Sequence, residues 1–94
     1  MKSRVIDKIR NIIRIGNYDL TFHAIEEMAE DELGILDIEH AILTGKIIKT
    51  EKDDPRGVKY IIEGVGVNQS TIIGIVGRFK ETGTFLFITV YEIN

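Results

Sequence analysis

The apolar positions of the chain change period once, near residue 45. Before that point they recur at three- and four-residue spacing. Val5, Ile6, Ile9, Ile12 and Ile13 form one stripe, which predicts a helix from a Ser3 cap to about Ile15, ended by Gly16 and Asn17. Tyr18, Leu20 and Phe22 alternate with Asp19 and Thr21, the pattern of a short extended stretch. Thr21 is placed there to cap a second helix over about Phe22 to Glu32. Ala24, Ile25, Met28 and Ala29 supply its apolar face, while His23, Glu27 and Glu30 fall within a narrow arc of another. A third helix is predicted over Asp37 to Thr44, with Ile38, Ala41 and Ile42 inward and Gly45 as a left-handed terminator.

From Lys46 onward Ile, Val, Thr, Phe and Tyr gather in four runs: Lys46 to Lys52, Val58 to Gly64, Thr71 to Phe79 and Phe85 to Glu92. Turn-forming stretches separate them, and connections this short join antiparallel neighbours. The prediction is therefore an α+β fold, a single domain over residues 1–94, with N-terminal helices packed on a four-stranded, mainly antiparallel sheet. A period of two puts Phe85, Phe87, Thr89 and Tyr91 on one face of the last strand. Thr71 to Val76 and Phe85 to Tyr91 are apolar on both faces, so the second sheet face is expected to meet a helix or a partner chain. Phe85, Phe87 and Ile73 are the apolar strand surface expected to dock such a partner. Gly64, Gly66, Gly74 and Gly77 would let the sheet bend or another backbone approach.

Charge adds an asymmetry that the net value of −3 conceals. Lys2, Arg4, Lys8, Arg10 and Arg14 make the first helix basic, and residues 18–45 hold eight carboxylates with no Lys or Arg. The overall balance disfavours a domain that holds nucleic acid by counterion release alone, yet leaves room for a local basic site. The simplest expectation is that the basic helix and the acidic segment lie side by side in the fold. Cysteine is absent, which excludes disulfides, thiolate metal sites and cysteine nucleophiles. No apolar run reaches the ~18 residues of a membrane span, and charges interrupt Met1 to Arg14 throughout, so a cytoplasmic location is expected.

Most constellations that carry chemistry are missing. Gly64-Val65-Gly66 lacks the third glycine and following helix of a dinucleotide loop, and no Walker-type lysine follows a glycine loop. Neither a cofactor nor a metal is expected: His23 and Glu27 have ligand spacing on a helix, but that spacing also describes an ordinary surface pair. Asp53-Asp54 before Pro55 has the character of a solvated turn. The strands hold a more suggestive set. Thr89 and Tyr91 share one strand face, Arg78 ends the preceding strand, and Arg56, Lys59 and Tyr60 lie at or after the proline turn. Cations of this kind stabilise phosphoryl-like transition states and Tyr or His transfers protons, so an open sheet bearing them could cleave RNA without a metal. The competing interpretation packs the Tyr91 ring in the core and leaves Arg78 as a solvated strand end.

Several local patterns together resemble the family catalogued as domain of unknown function 4258. They are His23-Ala24-Ile25-Glu26-Glu27-Met28, the run from Gly34 through Asp37 and Gly45 to Ile48, and Ile88-Thr89-Val90-Tyr91-Glu92. That family is similar in helix-then-sheet layout to the RelE and ParE toxins and to the MqsR ribonuclease. The resemblance implies a toxin-like component of a type II toxin–antitoxin system, a metal-independent mRNA endoribonuclease neutralised by a bound antitoxin, with a zinc-finger type as one option for that antitoxin. The family pattern falls on His23, Thr89, Tyr91 and, by position after the third strand, Arg78. With the strand cations already noted, the expectation is His23, Arg78 and Tyr91 as catalytic and Arg56, Lys59 and Thr89 as substrate-binding, with RNA as partner, no membrane and a homo-oligomer as a further option. Glu27 stands where many members carry arginine, and Asp31-Glu32-Leu33 replaces a shorter Arg-containing link. The alternative is a non-catalytic protein–protein interaction module or degenerate toxin.

Overall fold

A computed structural model describes residues 4–93. It orders them as α1 (Val5–Arg14), β1 (Tyr18–Leu20), α2 (Phe22–Glu30), α3 (Ile35–Thr44), β2 (Lys46–Glu51), β3 (Lys59–Val65), β4 (Ile72–Phe79) and β5 (Phe85–Ile93). The α+β class and the helix-then-strand order are as predicted. Ser3, the expected cap of α1, lies outside the described residues; Arg4 holds the cap position and makes no side-chain cap bond. α1 ends as predicted, with Gly16 left-handed at φ 74° and the Asn17 amide donating back to the Ile12 carbonyl at 3.1 Å. Thr21 caps α2, its hydroxyl oxygen accepting from the Ala24 amide at 3.0 Å. α2 closes with the same motif, but the left-handed residue is Glu32, φ 57°. Its neighbour Leu33 donates to the Met28 carbonyl at 2.8 Å.

α3 begins two residues earlier than predicted, because Asp37 reaches back to accept from the Gly34 amide at 3.0 Å. Gly45 is not left-handed as expected: it is extended, at φ −91° and ψ −165°. Glycine is needed there for room. A methyl group at Gly45 would overlap the carbonyl oxygens of Glu63 and Ala41, and one at Gly64 would overlap the Ala41 carbonyl, so α3 rests backbone-on-backbone against β3. Arg10 on α1 then locks the end of α3, donating to the Ile42 carbonyl at 3.2 Å and the Gly45 carbonyl at 2.7 Å.

The sheet has five strands and is mixed, in the order β1-β5-β4-β3-β2. The four-stranded expectation missed β1, which pairs in parallel with β5 from Tyr18 opposite Phe85 to Leu20 opposite Phe87. A three-residue strand whose partner lies more than sixty positions away leaves no local pairing signal in the sequence. β2 to β5 form the predicted antiparallel meander. Ile62, Ile73, Ile75, Phe85, Phe87 and Val90 face the helices and are fully buried with Ile9, Ile38, Ile42 and Ala24. Phe85, Phe87 and Ile73 are therefore core residues and not the exposed docking surface that their run suggested.

A bulge causes this difference. Gly77 pairs with Phe87 and Val76 with Thr89, so Ile88 is an extra residue in β5 and the alternation reverses across it. Phe85 and Phe87 point to the core, whereas Thr89 and Tyr91 lie on the opposite face, contrary to the shared face that a period of two predicted.

Candidate functional site

Among the described residues no helix packs on that opposite face. Register places Ile61 and Glu63 of β3, Gly74, Val76 and Arg78 of β4, and Leu86, Thr89 and Tyr91 of β5 on it. Apart from Gly74 these residues are half-buried, shielded only by their neighbours in the sheet. Tyr91 lies across Gly74: a methyl group at that position would overlap the phenol ring. The glycine thus seats the ring flat on the open face, which answers the sequence alternative that put Tyr91 in the core.

Arg78, Thr89 and Tyr91 form a row along this face, because Arg78 pairs with Leu86, Val76 with Thr89 and Gly74 with Tyr91. Arg78 and Tyr91 are four strand positions apart, roughly 13 Å at the backbone. Their side chains are set to meet successive groups of an extended ligand and not one atom.

Arg56, Lys59 and Arg78 come together at one end of the sheet, where the β2–β3 and β4–β5 connections meet. Pro55, Arg56, Arg78, Lys80, Glu81 and Thr82 line a shallow depression there, and Asp53, Asp54, Arg56 and Lys59 line another beside it. Asp54 takes up two of these cations. It accepts from the Arg56 amide at 2.8 Å and from the Arg56 guanidinium at 3.1 Å through both oxygens, with the Lys59 ammonium 3.5 Å away. The Arg56 side chain, then its amide, hold the Asp54 carboxyl well below the usual carboxylate range. Lys80, which sequence reasoning did not single out, is bound to Asp19 at 2.8 Å. Among the described residues Arg78 alone of these four cations has no carboxylate partner; its guanidinium lies 3.5 Å from the Arg56 carbonyl oxygen.

His23 lies apart from this row, exposed in the first turn of α2 with its Nε2 3.3 Å from Glu27 Oε1. The same carboxylate oxygen accepts from the Val90 amide at 3.0 Å, and Asp31 accepts from the Glu92 amide at 3.0 Å. β1 ends at Leu20, so beyond it the outer edge of β5 would be unpaired, and α2 supplies the missing acceptors. The spacing matches: four helix residues rise about 6 Å, close to the roughly 6.6 Å between alternate strand amides. Glu27 thus does work that an arginine at this position cannot, since a guanidinium has no acceptor. It also ties His23 to the strand between Thr89 and Tyr91. The clue in the sequence was a pair of carboxylates four apart on the helix, in a chain whose last strand needs an edge.

Tyr18 is similarly anchored. Its hydroxyl donates to Glu39 at 2.7 Å, and burial together with that carboxylate pushes the phenol up to about 12. Asp37, besides capping α3, accepts from the Val67 amide at 3.0 Å and pins the β3–β4 turn. No cation of α1 forms an ion pair with the acidic segment among the described residues: Arg4 and Arg10 pair with Asp7, and Arg10 joins the segment only through carbonyls.

Over the described residues the class this defines is an α+β domain with three helices on one face of a mixed sheet and a second face left open. The family model described as a domain of unknown function (DUF4258) matches residues 20–92, well over half of the chain. The chain belongs to that family. No curated protein and no solved structure matches it. Within the described residues no helix is long and apolar enough to cross a membrane, and no three His, Asp or Glu side chains converge as a metal site.

Proposed function

We propose that the open sheet face binds single-stranded RNA, and that the chain is the toxin-like member of a type II toxin–antitoxin pair, an mRNA endoribonuclease working without a metal. The observation that carries this reading is the row of Arg78, Thr89 and Tyr91 on an uncovered sheet face, with Arg78 free of any carboxylate partner among the described residues. In this reading Arg78 stabilises the charge that builds on a phosphate as the ribose 2′-oxygen attacks phosphorus. The attack forms a cyclic phosphate and expels the 5′-oxygen. One proton leaves the 2′-hydroxyl and another reaches the 5′-oxygen. Tyr91 on the face and His23, held on α2 by Glu27 at the edge of β5, are the groups this reading assigns to these transfers. Thr89 hydrogen-bonds the strand, while Arg56 and Lys59 contribute only when a phosphate draws them from Asp54. Kinship with the RelE and ParE toxins, and silencing by a zinc-finger-type antitoxin, belong to the same proposal and rest on the helix-then-sheet order.

A second reading has its own support: Ile61, Val76 and Leu86 make the middle of the open face apolar, which suits a non-catalytic module that binds protein. Mapping new RNA 5′ ends after induction in cells separates the two. New ends that vanish in an Arg78→Ala, Tyr91→Phe double variant support the nuclease. An unchanged RNA population, with the folded protein accumulating, overturns it in favour of the binding module.

A further inference from the structure

The most exposed large apolar side chain among the described residues is Phe22, at 85% of its full surface, and it does not stand alone. By the 100° step of a helix Phe22, Ile25 and Ala29 fall within one ~60° arc of α2, opposite the edge-capping Glu27 and Asp31. All three are exposed, although Ile25 and Ala29 looked like core positions from spacing alone. Beside them on the helix lie Glu26 and Glu30, exposed and without a cationic partner among the described residues. The basic helix α1 spends its cations elsewhere, so the acid of α2 is left uncompensated on an apolar stripe.

We infer that this outer face of α2 is a docking surface for another protein, and that its partner presents an amphipathic helix with an apolar stripe and flanking Lys or Arg. Charge complementarity selects the occupant. Two copies of this chain pairing α2 on α2 would set Glu26 and Glu30 against their own counterparts, which penalises the like-with-like contact. A cationic helix removes that repulsion, Phe22 supplies the aromatic anchor and Ala29 lets the two backbones approach. The inference does not depend on RNA cleavage, because the surface is built from a helix face and not from the open sheet.

The test uses the whole chain and fluorescent synthetic peptides. One peptide carries leucines at three- and four-residue spacing flanked by lysines, a second has the same residues in scrambled order, and a third has glutamate for lysine. The inference predicts saturable binding of the first alone, amide shifts confined to the outer face of α2, and a loss of about tenfold or more in affinity for the Phe22→Ser, Ile25→Ser double variant. Both substituted side chains are solvent-exposed, so the variant keeps the wild-type melting curve, and an unchanged curve confirms that lost binding is local. Equal binding of the scrambled peptide, shifts on the sheet, or no saturable binding overturns the inference. So does a concentration-dependent dimer of the chain alone that the double variant dissolves, which would name a second copy as the occupant.

Discussion

Leu86 and Phe87 are adjacent in β5 and face opposite worlds. Phe87 is fully buried, ringed by Tyr18 and Phe85 at centroid distances of 5.1 and 5.6 Å, under the helices. Leu86 is half-buried on the face that no helix covers among the described residues, opposite Arg78. The covered face holds apolar groups chosen for volume, whereas the open face mixes apolar residues with a cation, a carboxylate, a hydroxyl and a phenol. A sheet stabilised from one side alone leaves its other side free to be specified by what it binds. The domain's stability and its proposed activity thus reside on opposite surfaces of the same strands.

Substitution should divide along that line. Phe87→Ala is expected to cost about 3–5 kcal/mol by leaving a large cavity in a single core, against about 1 kcal/mol or less for Leu86→Ala. Chemical denaturation of the two variants checks this, and equal losses would mean that the open face is packed after all. At the edge of the sheet Glu27→Ala strands the Val90 amide and is expected to cost about 1–2 kcal/mol, while Glu27→Gln, which keeps an acceptor, loses less. Hydrogen exchange at Val90 should quicken in the first variant and not in the second. Glu32→Gly relieves a left-handed φ of 57° in a non-glycine residue and removes a carboxylate from a helix C-terminus, so it is expected to stabilise by about 1 kcal/mol.

The smallest effect concerns the basic end of the sheet. The Asp54 carboxyl is held below its unfolded value, so its contribution to stability is complete above about pH 4 and fades as pH falls through the lower folded value. Asp54→Asn should flatten that part of the stability–pH curve. An unaltered curve would show that Arg56 and Lys59 are not held by this carboxylate in solution.

Element order was legible because the period of the apolar residues changes once and Thr21, Gly16 and the loop residues punctuate it. What was not legible depends on contacts between distant segments. The alternation at Tyr18 to Phe22 showed an extended stretch, but nothing local showed that it joins the sheet as β1 by pairing with β5. The extra residue at Ile88 carries no composition signal, yet it moves Thr89 and Tyr91 to the opposite face from Phe85 and Phe87. Gly45 resembled a helix terminator, but backbone contact with β3 is what requires it. The candidate cations were found by residue type, and Arg56, Lys59 and Arg78 do gather at one end. Their pairing with Asp54, and the edge-capping task of Glu27, needed the three-dimensional neighbours.

The most direct test of the open face as the working surface is amide chemical-shift mapping on the purified protein as a short single-stranded RNA is titrated in. The account predicts shifts at Ile61, Val76, Arg78, Leu86, Thr89 and Tyr91, weakened by Arg78→Ala, with the helices unperturbed. Shifts on the helices alone, or none at RNA concentrations that saturate ordinary single-strand binders, would contradict it.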